Sequence, residues 1–215
     1  MIDATAYRTV PMLDEAGFVH LRPLDPPIPE REWRALEYLE WKSSGDTRFA
    51  PIVSARGEME CAGFWDHGLP DKDGLWTRNA LLCPDIVRWV QLVGANFGRV
   101  RVIELQPQTY EEALRHLHVD DNNRLNPAGE GWVVRAFLQL THDPESFAVL
   151  RRDRDDAASE VRVPLPRGTQ YVVDTERIWH VVAHYGDQPR YALIACFESG
   201  SRLEHWIDRN RESAC

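Results

Sequence analysis

The chain has 215 residues, 43% of them hydrophobic and 27% charged, with a formal net charge of -9. This is the make-up of a globular protein long enough to bury a substantial core. An acidic balance without a Lys/Arg-rich run argues against nucleic acid or an anionic membrane as partner.

The N-terminus has no basic segment followed by an apolar stretch. No apolar run nears the ~18 residues of a membrane span, so a cytoplasmic protein is expected. In "IPEREWRALEYLEWK" (28–42), Pro29 suits a first helical turn and Trp33, Leu36 and Leu39 recur at helical spacing. The Gly- and Pro-rich "GEMECAGFWDHGLPDKDG" (57–74) reads as irregular loop. A clearer helix follows in "CPDIVRWVQLVGANFG" (83–98), where Ile86, Trp89, Val90 and Val93 form one stripe and Gly94 or Gly98 can close it.

From Arg99 the period changes to two. Strands are expected at 99–105, 132–141, 146–151, 160–165, 170–175, 180–184 and 190–198, separated by turn signals such as "NPAG" and "YGDQP". "SGSRLEHWIDRN" (199–210) reads as a closing amphipathic helix with Leu203, Trp206 and Ile207 on one face. Helices first and about seven strands after them predict a mainly β sandwich or short barrel with flanking helices. The expected division is a helical and loop region over 1–98, a β core over 99–198 and a helix over 199–215, within one structural domain. Cys61, Cys83, Cys196 and Cys215 form no close pair and read as free thiols of a reducing compartment.

Alternation assigns faces. Val134, Ala136, Leu138 and Leu140 share one side of their strand; Arg135, Phe137, Gln139 and Thr141 share the other. In the last strand Arg190, Ala192, Ile194 and Cys196 lie together. An arginine on an otherwise apolar inward face requires an anion there.

The densest cluster of metal-binding residue types is "LRHLHVDDNN" (114–123). His118 and Asp120, two apart in extended chain, point to one side and can reach one ion. A distal histidine would complete the two-His-one-carboxylate arrangement of non-haem Fe(II) oxygenases. His180 lies 62 residues downstream, and Arg190 follows it by ten. A hairpin between them is expected to set the guanidinium alongside the His180 strand, ready for the far carboxylate of a metal-chelating dicarboxylate.

Two other metal readings compete. "HLHVDD", with His116 and Asp121, approximates the H-x-H-x-D-H of metallo-β-lactamase-type hydrolases. His184 could replace His180, but the two lie ~13 Å apart along a straight strand and cannot serve one ion.

HxD, then His180 with an arginine ten residues on, resembles the 2-oxoglutarate- and Fe(II)-dependent oxygenases of the double-stranded β-helix (jelly-roll, cupin-like) fold. "VVRAFLQLTHDPES" and "GTQYVVDTERIWHVVAHYGDQPRYAL" are most similar to motifs of the aspartyl/asparaginyl β-hydroxylase family, which includes bacterial proline hydroxylases. The similarity spans roughly residues 99–198. It implies Fe(II) held by His118, Asp120 and His180, 2-oxoglutarate held through its C5 carboxylate by Arg190, and O2 as co-reactant. It also implies that Arg135 handles a carboxylate of substrate or cosubstrate. The expected substrate is an amino acid, an amino-acid derivative or a peptidyl side chain, with His116, His184, Trp132, Arg124 and Asn122 as pocket candidates. Phe137 stands where the family often has a polar cosubstrate contact, and His184 where it has asparagine. Asp120 favours hydroxylation, since related halogenases replace that carboxylate with a small residue. A jelly roll that binds ligand without turnover is the alternative of a different class.

Overall fold

A computed structural model describes residues 6–211. Its elements in chain order are β1 (Phe18–Leu21), α1 (Glu30–Arg34), β2 (Leu39–Glu40), β3 (Thr47–Ser54), β4 (Leu75–Trp76), α2 (Pro84–Val93), β5 (Phe97–Leu105), α3 (Tyr110–Leu114), β6 (Val133–Gln139), β7 (Phe147–Arg151), β8 (Val161–Pro164), β9 (Gln170–Val173), β10 (Trp179–Ala183), β11 (Arg190–Glu198) and α4 (Ser201–Asn210). The seven strands expected after residue 99 are all present, with ends shifted by one or two residues.

The strands form two antiparallel sheets. The larger runs β1-β9-β6-β11-β5-β3-β2, with β4 added against β3; the smaller runs β10-β7-β8. The sheets face one another across a cavity and do not close into a barrel. This is the jelly roll expected from the sequence.

Alternation explains why the large sheet has two different faces. Val100, Val102, Val134, Ala136, Leu138, Leu193, Ala195 and Phe197 turn outward to meet Trp33, Ile86, Trp89, Trp206 and Ile207 from α1, α2 and α4. Their neighbours Ile103, Phe137, Ala192 and Ile194 turn inward to a second apolar cluster. Outside the small sheet, Ala113 of α3 packs on Val149, Val181 and Ala183. The helices therefore cover one face and leave the other free to line a site.

The N-terminal third differs from its expected helical and loop character. Strand β3 pairs with β5 through most of its length, and β1 pairs with β9. The helix predicted over 28–42 stops after Arg34, and Leu39–Glu40 joins β3 as a strand. Tyr38 packs against the core formed on the outer face of the large sheet, and β2 pairs with β3 within that sheet, a tertiary demand that overrides helix propensity. Helix α2 follows its prediction, with Gly94 in the left-handed region at its C-terminus (φ 77°).

Cys61, Cys83 and Cys196 are free and buried; Cys215 lies outside the described residues. Among the described residues, no helix is long and apolar enough to cross a membrane.

Candidate metal centre

His118 and His180 meet through the backbone before their side chains meet anything. The His180 N–H donates to the His118 carbonyl (2.8 Å), and the His118 N–H donates back (3.4 Å). A second bridge, between Gln108 and His184, lies on the same side of β10. Between the two bridges the chain makes the excursion that contains α3. The 108–118 segment is thus pinned to the free edge of the small sheet, and the two imidazole rings lie 4.4 Å apart between centroids.

Asp120 follows two residues later. Its N–H donates to the Thr175 carbonyl (2.8 Å), which turns the carboxylate toward the rings. His118 Nε2 is 3.8 Å from Asp120 Oδ1, and His180 Nε2 is 3.6 Å from Oδ2. One ligand atom from each of the three residues falls within 4.8 Å of the other two.

The hydrogen bonds fix which ring nitrogens are free. His118 Nδ1 donates to the His116 carbonyl (2.9 Å), and His180 Nδ1 donates to the Ile178 carbonyl (3.1 Å). With Nδ1 committed, Nε2 is the nitrogen each ring turns toward Asp120, the arrangement by which a backbone carbonyl orients a metal-ligating histidine. Burial pushes the His180 imidazole down to about 4 despite the attraction of Asp120. Burial alone would raise Asp120, but Arg135, then His180 and His118, and a hydrogen bond from Thr175 hold it well below the usual carboxylate range. Asp120 held ionised and His180 held neutral are in the protonation states that bind a cation.

Arg135 Nη1 stands 2.8 Å from Asp120 Oδ2, yet the alignment is poor and Oδ2, fully buried, has no hydrogen bond. Orphaned buried oxygens are rare and costly. Here Oδ2 lies near the His180 Nε2, with the His118 Nε2 near the other carboxylate oxygen, and that donor set fits a divalent transition metal. Arg135 also donates to Asn122 Oδ1 (3.0 Å), which accepts from Arg99 as well (3.1 Å). Asn122 is thus a buried strut behind the carboxylate and not a residue of the cavity mouth.

The cluster sits at the wall of a cavity between the two sheets that is open to solvent at its mouth. Arg190 lines the same cavity, with Gln139 Oε1 accepting from its guanidinium. Burial lowers Arg190 to about 10, so it stays cationic at neutral pH. It reaches the cavity by a different route from the one its spacing suggested. Strands β10 and β11 do not pair; they belong to opposite sheets, and Arg190 faces His180 across the gap. The "YGDQP" turn crosses between sheets because β10 finds its partner in β7 and β11 finds two, β5 and β6.

The pocket candidates His116, His184, Trp132 and Arg124 all lie off the cavity lining. His116 is exposed, and so is Arg124, 3.8 Å from Asp121. Trp132 donates to Asp174 Oδ1 (3.1 Å). His184 is buried, with Nδ1 2.7 Å from both Ser146 Oγ and Asp143 Oδ2 and Nε2 on the Gln188 carbonyl (2.7 Å), a turn-locking network. With His116 and Asp121 turned to solvent, "HLHVDD" does not assemble the ligand box of a hydrolase.

Among the cavity residues that escaped the sequence reading are Arg101, Phe49, Tyr171, Ser43 and Ser44. The signal for Arg101 is present: in "RVRVIEL" alternation puts it on the face of Ile103 and Leu105, opposite Val100 and Val102.

No protein-family model matches the chain, and no curated protein does. Solved structures do. An oxidoreductase of the 2OG-Fe(II) oxygenase family from Burkholderia pseudomallei superposes with a TM-score of 0.56 at 12% identity, covering 87% of this chain and 88% of its own. A prolyl hydroxylase from Trichoplax adhaerens, in complex with a hypoxia inducible factor oxygen degradation domain peptide fragment, gives 0.51 at 10% identity, covering 91% and 89%. At such identities the likeness speaks for architecture alone, and the architecture is the jelly roll shared with these two enzymes.

Proposed function

We propose that the protein is an Fe(II)- and 2-oxoglutarate-dependent dioxygenase that hydroxylates an amino acid, an amino-acid derivative or a peptidyl side chain, within or near the aspartyl/asparaginyl β-hydroxylase-like group. The observation that carries this reading is the convergence of His118, Asp120 and His180 on one wall of a cavity that also holds Arg190. Three protein ligands on one side of a cation leave positions open toward the cavity, as non-haem Fe(II) oxygenases require.

In this reading His118 Nε2, His180 Nε2 and the Asp120 carboxylate hold the iron. When bound, Fe(II) and 2-oxoglutarate supply the oxidising chemistry: O2 is consumed, 2-oxoglutarate becomes succinate and CO2, and a substrate C–H becomes C–OH. Arg190 takes the C5 carboxylate of 2-oxoglutarate, with Gln139 setting the angle of the guanidinium. Arg135 keeps Asp120 ionised and oriented. Its Nε, buried without a partner, is left for a carboxylate entering the site. Phe137, stacked on Tyr171 with ring centroids 4.9 Å apart, gives the cavity an apolar wall that excludes water.

The test is anaerobic titration of the purified protein with Fe(II) and 2-oxoglutarate, followed by visible absorption. The weak metal-to-ligand band of the chelate is expected in the wild type and absent in His180→Ala. A wild type that binds iron but never gives the band would overturn the reading.

A further inference from the structure

Five arginines are buried among the described residues: Arg99, Arg101, Arg135, Arg151 and Arg190. Three have carboxylate partners, Arg99 with Asp71, Arg135 with Asp120 and Arg151 with Glu160. Arg190, the fourth, has Gln139 and, under the proposed function, the cosubstrate. Arg101 has neither. It is 7% exposed and lines the cavity, and its Nη1 is buried without a hydrogen bond. Its guanidinium lies over the Phe49 ring, 4.1 Å from the centroid, which fixes the plane of the fork but neutralises nothing.

A buried guanidinium without an anion is costly, and the surroundings add to the cost. Burial, then the like charges of Arg99 and Arg135, push Arg101 down to about 9. The charge balance points the same way. Three guanidiniums (Arg101, Arg135, Arg190) and one carboxylate (Asp120) line the cavity. A ferrous ion and a 2-oxoglutarate dianion cancel each other. The loaded site would therefore remain two positive charges in excess, and the substrate must supply the missing anion.

The position of Arg101 separates it from the cosubstrate arginine. On the β5–β11 ladder Arg101 stands opposite Ile194, and Arg190 stands opposite Leu105. Four residues of strand put their backbones ~13 Å apart. Arg101 is the nearer of the two to Arg135 along the sheet, since Arg135 pairs with Cys196, two residues from Ile194. The apolar cross-strand pair Ile103 and Ala192, both lining the cavity, lies between the two cations.

We propose that Arg101 is the substrate anchor: it binds, through its fork, a carboxylate of the molecule to be oxidised and so selects a carboxylic acid over neutral analogues. This rests on the oxygenase reading above. The carboxylate can come from a free acid or from an aspartyl or glutamyl side chain, and the assay separates the two.

The protein is saturated with Mn(II) and 2-oxoglutarate, and its melting temperature is followed at constant ionic strength. One arm of ligands is the free L-amino acids against their carboxamides. The other is N-acetyl-aspartate and N-acetyl-glutamate amides against the asparagine and glutamine counterparts. Expected is stabilisation by at least one acid and not by its matched amide. Arg101→Gln should weaken that binding at least about 30-fold, as loss of one partner of a buried charge pair does. Arg101→Lys should restore part of it, and the response to Mn(II) and 2-oxoglutarate should persist in both variants.

The acid-against-amide comparison uses the wild type, so the assay does not depend on how well a variant folds. Equal binding of acids and amides, no binding by any acid, or wild-type affinity in Arg101→Gln would overturn the proposal. So would loss of the 2-oxoglutarate response in that variant, which would make Arg101 a cosubstrate residue. A wild type without any 2-oxoglutarate response, and without the Fe(II) band described above, would sink the oxygenase reading itself and the substrate assignment with it.

Discussion

Asp174 shows how far a single buried charge can be read. It follows β9 fully buried, with Oδ1 accepting from Trp132 (3.1 Å) and Oδ2 3.5 Å from Arg177 Nε but without a hydrogen bond. Burial raises its pKa above 3.8, more than Trp132 and Arg177 lower it. An acid raised on folding keeps its proton to higher pH in the native state than in the unfolded chain. The native state then binds more protons in that window, and stability falls as pH climbs from 3.8 through the raised value. Asp174→Asn keeps the acceptor for Trp132 and removes the charge. Its stability relative to wild type, measured by urea unfolding, is expected to improve from pH 4 to pH 7. A variant more destabilised at pH 7 than at pH 4 would show the carboxylate to be stabilising. At this scale the structure brings His118 and Asp120 together with His180, as the sequence expected, because the His118–Asp120 spacing needs only local chain direction. It misplaced Trp132, Arg124 and His184, whose partners Asp174, Asp121, Ser146 and Gln188 are fixed by how loops fold back.

Elements with a strong period came through nearly intact. The apolar stripe of α2 lies between the large sheet and α4, where Trp89 and Trp206 meet edge to face at 5.8 Å; such pairs add about 0.5–1.5 kcal/mol to simple burial. Helix α2 ends on Gly94, whose φ of 77° is costly for any residue with a side chain, although a Cβ there would meet nothing within 4 Å. Gly94→Ala is therefore expected to cost about 1 kcal/mol from backbone conformation alone, read as a lower denaturation midpoint with an unchanged slope. A loss several-fold larger would mean that packing is disturbed as well. Helix α1 and strand β3 were less legible. "TRFAPIVS" carries a proline and a continuous apolar run, so it lacks the alternation that marks β5, β6 and β11. Strand β3 is buried along almost its whole length, as β5, β6 and β11 are, but it lacks the cavity-facing arginines (Arg101, Arg135, Arg190) that mark one face of those strands.

Across the whole molecule, the cavity depends on strands from both ends of the chain. Strand β3 covers the edge of β5, and β1 covers the edge of β9. A chain beginning at Arg99 would retain every candidate iron ligand yet expose two sheet edges and the helix-covered face. It is expected to be insoluble or to lack a cooperative melt, checked by soluble yield and thermal circular dichroism. A soluble, cooperatively melting fragment would show that residues 1–98 are dispensable for the fold.

The sequence by itself determined the mainly β class, the seven-strand run and the inward and outward faces of β6 and β11, all of which follow from side-chain alternation and spacing, which are local. Grouping His118, Asp120, His180 and Arg190 as one site took the motif resemblance as well. Tertiary structure decided which sheet each strand joins, and so placed Arg190 across the cavity from His180 instead of beside it. It also decided which buried charges find partners: Arg99, Arg135 and Arg151 do, and Arg101 does not. The reason is physical. Strand register and ion pairing are settled by contacts between residues far apart in the chain, and local periodicity carries no record of them.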